Sequence, residues 1–430
     1  MNSFRLFGIQ LPSSLDFLVI YDSLVSMEKR QYYKEIWGAF DQEKHLVLVS
    51  GPRQAGKTIF AKDAASEEPV SLYFNYDIPA NKAQILQNPT FFEEVDRIKG
   101  NLPLIIFDEI HKYNDWKNYL KGIYDGYSDE MRFLVTGSGR LDISRKKGDS
   151  LAGRYLHFHL WPFTLGEIFA SSTGIEETRA FFEIPEQDRM AREAWETMFQ
   201  VSGFPEPFLK GTKMKYRRWS KTYHTQIIRD DIRDEFAVRQ VDKMETLYYL
   251  LSESVGSPFS SSNRARTLKI SHKTVSSWLT VFERFFLVFK IRPFTNRVPR
   301  SLLKEPKIYF YDYCRVKNDA LRFENMVAVE LNRAVTLWSD FGLGEYELWY
   351  LRNKEKEEVD FLITESGSPQ FMVETKLSDS NVSPHLIKFQ GVLNIPAIQL
   401  VNKPNIARKI KNGSNSVLIV SAPDWLCGLN

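Results

Sequence analysis

Only two cysteines, Cys314 and Cys427, occur in 430 residues. Their separation fits neither a disulfide framework nor a zinc-ligand spacing, so a reducing compartment, the cytoplasm, is expected. Histidine is scarce too, at seven residues. The one close pair, His157 and His159, shares a strand face without a third ligand and reads as structural rather than metal-binding. Long apolar runs are absent. The early stretch "LDFLVIY" is too short to span a bilayer and lacks the basic lead-in and small-residue cleavage site of a signal peptide, which argues against a membrane partner. Residues 1–26 carry no recognisable motif, and Met27 is an alternative start.

What is present is an ordinary globular composition, 43% hydrophobic and 26% charged, in a chain long enough for two to four domains. The net charge of +3 hides an uneven distribution. From Asn263 to Lys304 ten Lys and Arg face Glu283 alone, and "KGTKMKYRRWSK" places six basic residues within Lys210–Lys221.

A buried apolar strand in "HLVLVSGPRQAGKTIFAKDAA" leads into Gly51, Pro52, Arg53, Gln54, Ala55, Gly56, Lys57 and Thr58, then a helix. This is the phosphate-binding P-loop in its strand-loop-helix setting. Glycines let the loop turn its N–H groups onto phosphate oxygens, Lys57 reaches the terminal phosphates, and Thr58 ligates Mg²⁺. A second run, "LPLIIFDEIHK", ends in Asp108 and Glu109, 51 residues beyond Lys57. Carboxylates at the C-terminal end of a buried parallel strand suit Mg²⁺ binding (Asp108) and activation of the attacking water (Glu109). A third strand, "MRFLVTGS", offers Ser138 as a sensor of the γ-phosphate. Arg154, in "SLAGRYLHFHLWPF", either neutralises transition-state charge, in its own or a neighbouring site, or is merely solvated.

Taken with "VTGSGR", "VSGFPEPFL" and "IIRDDI", these motifs resemble those of AAA-type ATPases of bacteria and archaea that carry a further C-terminal domain. The resemblance runs from about Met27 onward. It implies an α/β chain with an AAA-like P-loop ATPase core and helical extension (27–240), a winged helix-turn-helix (241–312) and a restriction-endonuclease-like PD-(D/E)xK domain (313–430). Gly139-Arg140 departs from the small polar residues common there, leaving open a nucleotide-related role for Arg140.

The residues of the last two regions carry signals of their own. "METLYYLLSESVG" and "NRARTLKISHKTVSSWLTVFERFFLVFKIRPF" read as helices followed by a strand, with "ISHKTVSSWLTVFERF" in the recognition position. Lys269, Lys273, Arg292, Arg297 and Arg300 are the candidate DNA contacts; a protein-binding module or a solvated basic face is the alternative. Toward the C-terminus the order helix, three strands, helix, strand matches the PD-(D/E)xK arrangement. Asp360 in "EVDF" and Glu374-x-Lys376 in "FMVETKL" would hold Mg²⁺ or Mn²⁺ and orient water. Resemblance to Holliday-junction resolvases of this fold implies Glu324 as the helix carboxylate, with Glu330 as the alternative, and the two face different directions on one helix. A like-sided Glu and Lys on a strand also form a plain ion pair. The chain therefore reads as an ATP-binding, Mg²⁺-dependent ATPase acting on duplex or branched DNA, with nuclease chemistry as one output. A nucleotide-dependent switch that binds without cutting is the other. A homo-oligomer is implied only if Arg154 acts across subunits.

Overall fold

The computed structural model describes residues 5–6, 9–10, 30–43, 46–141, 151, 153–169, 181–236, 240–295 and 304–429. The chain divides after Pro162 into two compact units. Among the described residues no helix is long and apolar enough to cross a membrane.

In the first unit, five parallel strands form one sheet: β1 (Leu46–Ser50), β2 (Ser71–Asn75), β3 (Leu104–Asp108), β4 (Arg132–Gly137) and β5 (Leu156–His159), in the order β2-β3-β4-β1-β5. Uninterrupted apolar runs make β1 and β3 buried along their whole length, as a parallel sheet covered on both faces demands, while the edge strands β2 and β5 stay half exposed. Helices α1 (Gln31–Glu43), α2 (Lys57–Glu67), α3 (Pro79–Gln87) and α4 (Trp116–Tyr127) accompany it. Helix α4 buries Trp116, Leu120 and Ile123, one apolar stripe at helical spacing. Phe91 and Phe92 meet Phe107 edge to face, and Phe92 meets Phe133 in the same way, filling one face of the sheet. Because the chain leaves central β1 and jumps to edge strand β2, the strand order reverses beside β1, where open α/β sheets bind ligand.

The second unit is built on a mixed eight-stranded sheet. Its longer helices among the described residues are α5 (Arg189–Val201), α6 (Lys213–Gln226), α7 (Val241–Leu251), α8 (Ser261–Leu268), α9 (His272–Arg284), α10 (Asp319–Asp340) and α11 (Pro384–Leu393). Its strands are β6 (Val288–Pro293), β7 (Lys307–Phe310), β8 (Tyr346–Arg352), β9 (Glu358–Glu365), β10 (Ser368–Lys376), β11 (Ala397–Val401), β12 (Ala407–Asn412) and β13 (Asn415–Ser421), in the order β12-β13-β11-β10-β9-β8-β6-β7. Strands β8, β9 and β10 are antiparallel, and β10, β11 and β13 run parallel. Helices α8 and α9 enclose the turn Lys269-Ile270-Ser271, and the hairpin β6-β7 follows them.

The expected divisions at 240/241 and 312/313 both fall inside this unit, for a physical reason. Strand β6 spends its second edge on β8, pairing Arg292 with Trp349 and Pro293 with Tyr350, so the hairpin after α9 belongs to the C-terminal sheet. The helical extension also packs here. Arg192 of α5 forms a two-pronged ion pair with Asp424 at 2.9 and 2.8 Å, and Trp195 donates to Asn402 at 2.7 Å.

A buried polar knot ties α6 and α7 to the chain just after β7. Asp312 accepts from Tyr216 (3.0 Å), Ser220 (3.1 Å) and His224 Nε2 (2.9 Å), while Tyr248 donates to His224 Nδ1 at 2.8 Å. Burial pushes His224 down to about 4, against the opposing pull of Asp312. Its folded value thus lies below its ordinary 6.5, so the unfolded chain takes up the proton first. Stability should be complete above pH 6.5 and fall as the pH drops toward about 4, by on the order of 3 kcal/mol. Chemical denaturation at stepped pH should show this slope flattened in His224→Gln; an unchanged slope would remove His224 as its source.

Candidate functional site

The first candidate site forms where β1 and β3 end. Gly51 lies so close to the carbonyl oxygen of Leu160 that a Cβ there would stand 2.1 Å from it. Gly56, with φ 101°, caps the start of α2 in a left-handed conformation that only glycine adopts freely. These two positions shape the loop. Lys57 Nζ folds back along it, donating to the carbonyls of Gly51 (3.0 Å) and Pro52 (2.7 Å). Burial lowers this ammonium to about 8, with Glu109 and Asp108 opposing the shift.

Asp108 is buried at the centre. Its Oδ2 accepts from Thr58 Oγ1 (2.7 Å), Tyr73 OH (2.7 Å) and Asn75 Nδ2 (3.1 Å), and its Oδ1 accepts from Thr136. The Thr58 hydroxyl and Asp108 carboxylate form an adjacent pair of oxygen donors. That set fits Mg²⁺, a hard cation that keeps several waters and takes its remaining oxygens from phosphate. Glu109 follows with φ 59°, its carboxylate 3.1 Å from Lys112 Nζ. Ser138 reaches the site through His111, the Ser138 hydroxyl lying 3.0 Å from His111 Nε2 in a hydrogen bond.

The structure therefore gathers Lys57, Thr58, Asp108 and Glu109, with Ser138 held one residue away. Arg154 is engaged elsewhere: its guanidinium grips Asp125 of α4 at 2.6 and 3.2 Å. Arg30 had no motif to announce it. It is buried, donating from Nη1 to the Ala55 carbonyl (2.7 Å) and from Nη2 to the Trp161 carbonyl (2.6 Å), so it fixes the loop from beneath. Tyr73 and Asn75 were likewise silent in sequence, and Thr136 was marked only as part of the polar strand end that Ser138 closes. For Arg140 no side chain is described.

In the second unit, α9 buries Val275, Trp278, Leu279 and Phe282 and begins at Ser271, whose side chain accepts from Thr274 N at 3.0 Å. That register leaves His272, Lys273, Ser276 and Thr280 exposed, beside exposed Arg266 and Lys269. Arg292 lies within β6, half-buried, rather than on a free hairpin tip. Arg297 and Arg300 lie outside the described residues.

At the far end of β10, Glu374 Oε1 accepts from Lys376 Nζ at 2.7 Å. Burial pushes Glu374 up to about 7, reinforced by Asp360 and opposed by Lys376. Asp360 Oδ2 accepts from the Thr375 backbone N–H (2.9 Å) and hydroxyl (2.6 Å). On α10, Glu324 turns toward this group and Glu330 away from it, accepting from the Leu165 N–H at 3.0 Å. The carboxylates expected to bind metal are thus neighbours. They do not, however, fit a divalent ion. Lys307, wholly buried at the start of β7, places Nζ 2.6 Å from Glu358, 3.1 Å from Glu324 and 3.8 Å from Asp360. Among the described residues no group of three or more His, Cys, Asp or Glu side chains is arranged to hold a metal.

A phosphate-binding role for Lys57 requires it protonated, and its value near 8 puts that requirement within reach of titration. ATP affinity should be flat below pH 8 and weaken above it by up to about tenfold per pH unit. Equilibrium binding across pH 6.5 to 9.5 checks this. Constant affinity up to pH 9.5 would contradict it.

Residues 43–169 match the family model described as AAA domain, and residues 192–314 match one described as a domain of unknown function. An uncharacterized protein of Mycobacterium tuberculosis is 24% identical over 332 residues, 75% of this chain and 68% of that protein. One of Methanocaldococcus jannaschii is 25% identical over 315 residues, 67% and 64% of the two chains. Among solved structures, a Walker-type ATPase of Pyrococcus abyssi is similar at TM-score 0.41 and 13% identity, covering 69% of this chain and 95% of its own. DnaA of Aquifex aeolicus bound to AMPPCP is similar at TM-score 0.30 and 17% identity, covering 60% and 88%. Loop geometry, the Thr58–Asp108 pair and the family match over residues 43–169 agree that the first unit carries a nucleotide-binding, P-loop ATPase domain of the AAA type.

Proposed function

We propose that this chain is a cytoplasmic ATP-hydrolysing protein that interacts with DNA. In this reading Mg²⁺, held by Thr58 and through water by Asp108, would neutralise charge on the β- and γ-phosphates. Lys57 would bind the terminal phosphates, and Glu109 would take the proton of the attacking water. Lys112, 3.1 Å from Glu109, orients that carboxylate until a water competes for it. Ser138 would sense the γ-phosphate with His111 as its support.

The observation that carries the DNA half is the turn between α8 and α9. It exposes Arg266, Lys269, His272 and Lys273 together, none of them ion-paired among the described residues, in a helix-turn-helix whose apolar side is buried. Basic side chains left unpaired at the start of a recognition helix suit phosphate oxygens and base edges of a duplex. The order α10, β8, β9, β10, α11, β11 supports a PD-(D/E)xK-like reading of the C-terminal region. Of the two outputs, cleavage and binding without cleavage, the position of Lys307 favours the second.

Lys57→Ala should lower ATP turnover at least a hundredfold in purified protein, and retained turnover would sink the ATPase assignment. Lys269→Glu with Lys273→Glu should weaken duplex binding at least tenfold and make its salt dependence shallower by about two phosphate contacts. Fluorescence anisotropy over a salt titration reads both effects. Unchanged affinity would take the α8–α9 turn off the DNA surface, and parallel titrations with branched DNA would reveal a structure preference.

A further inference from the structure

Four carboxylates converge at one end of the second sheet: Glu324 on α10, Glu358 and Asp360 on β9, and Glu374 on β10. Each has a protein donor on at least one oxygen, although Glu374 Oε2 is buried with no partner among the described residues. Glu324 Oε1 accepts from Tyr309 OH at 2.6 Å and from Lys307 at 3.1 Å. Glu358 is shared between Lys307 and Arg352, each at 2.6 Å. Asp360 is held by Thr375 and Glu374 by Lys376. The remaining side of Glu324 is walled off, because Gly256 passes so close that a Cβ there would stand 2.7 Å from Oε2.

Lys307 sits in the middle of three of these groups. Its ammonium is wholly buried, 5.4 Å from the centre of the Tyr350 ring. Burial alone would strip its charge, yet Glu324, Asp360 and Glu358 more than offset that and raise it above the ordinary lysine value. An ammonium has three N–H donors and no need of water, so it satisfies buried carboxylates at hydrogen-bond distance. A divalent ion needs deprotonated, unoccupied oxygens close to 2 Å and retains several waters. Both cannot sit among Glu324, Glu358 and Asp360.

We propose that Lys307 is the resident cation of this acidic cluster, standing where the nuclease-like pattern calls for a divalent metal, so that the cluster is metal-free and does not cleave. The proposal deepens the non-cleaving reading above, and it rests on the cluster's geometry rather than on DNA binding. It also assigns the cluster a positive role. Lys307 belongs to the hairpin that follows the helix-turn-helix, while its partners belong to α10 and β9, so docking of the hairpin completes the charge balance of the sheet end. Pro258, just before α8, bridges to Lys307 through the backbone and holds the same junction.

The test is Mn²⁺ binding to the nucleotide-free full-length protein, followed by electron paramagnetic resonance of the free ion. Neither ATP nor DNA enters, so its outcome is separable from failure of the ATPase or DNA readings. The unmutated protein and Asp360→Asn should be indistinguishable and show no saturable site above that of the P-loop. Lys307→Ala should gain one saturable site, lost again in the Lys307→Ala, Asp360→Asn double variant. A saturable site in the unmutated protein that Asp360→Asn removes would overturn the proposal, as would a folded Lys307→Ala protein that gains none. Should Lys307→Ala fail to fold, comparing the unmutated protein with Asp360→Asn decides the matter.

Discussion

Asp108 organises the first unit because a carboxylate removed from water has to be given donors, and here they come from every neighbouring element. Asn75 and Thr136 stand directly across from it on β2 and β4 by sheet register, and Thr58 reaches it from the first turn of α2. One side chain therefore ties three strand ends to the helix that opens the P-loop. The cost of burying the carboxylate is offset by these neutral hydrogen-bond donors. A site so arranged is preorganised: a cation arriving with phosphates meets a fixed carboxylate and hydroxyl rather than mobile groups.

The second unit faces the same constraint and meets it differently. Glu324, Glu358 and Asp360 are answered by an ammonium rather than by hydroxyls and amides alone. Hydroxyl donors rotate away when a metal takes the oxygen, because they surrender no charge in doing so. Lys307 cannot withdraw in that way without leaving a buried charge unpaired, and breaking a buried pair from one side is the expensive case. Two clusters of similar composition at strand ends thus differ in kind. The partner of the carboxylate, more than the carboxylate itself, decides whether a cation can enter.

That distinction explains which parts of the site were legible in sequence. The P-loop residues and Asp108-Glu109 are signalled locally, by glycine spacing and by an apolar run that stops at an acid. Their partners are not. Arg30 meets Ala55 from 25 positions away, and Lys307 meets Asp360 from 53, with nothing in either neighbourhood to mark them. Arg154 shows the same limit, since its partner Asp125 lies 29 positions away with nothing in the loop to mark it. On α10 the helical period required one of Glu324 and Glu330 to face elsewhere, but only packing showed Glu330 meeting the Leu165 N–H. The order helix, three strands, helix, strand was readable from hydrophobic pattern, whereas the exposed strand β12 and the edge strand β2 were not. The merging of hairpin and C-terminal sheet was not, because an edge pairing such as Arg292 with Trp349 leaves no mark on either strand.

This merging constrains how the second unit can respond to anything that binds it. Besides the β6–β8 pairing, the Phe294 N–H donates to the Tyr350 carbonyl at 2.8 Å, Tyr350 OH to the Glu305 carbonyl at 2.8 Å, and the Phe259 N–H to the Pro306 carbonyl at 2.8 Å. Together with the Lys307 pairs, these bonds join both ends of the α8–α9 segment to the sheet. Swinging α9 against that sheet would break backbone pairing and expose a buried ammonium among carboxylates, far more costly than shifting a loop-tethered domain. Helices α8 and α9 and the sheet therefore respond as one body, and any load on the exposed turn between these helices passes directly into β6 and β7.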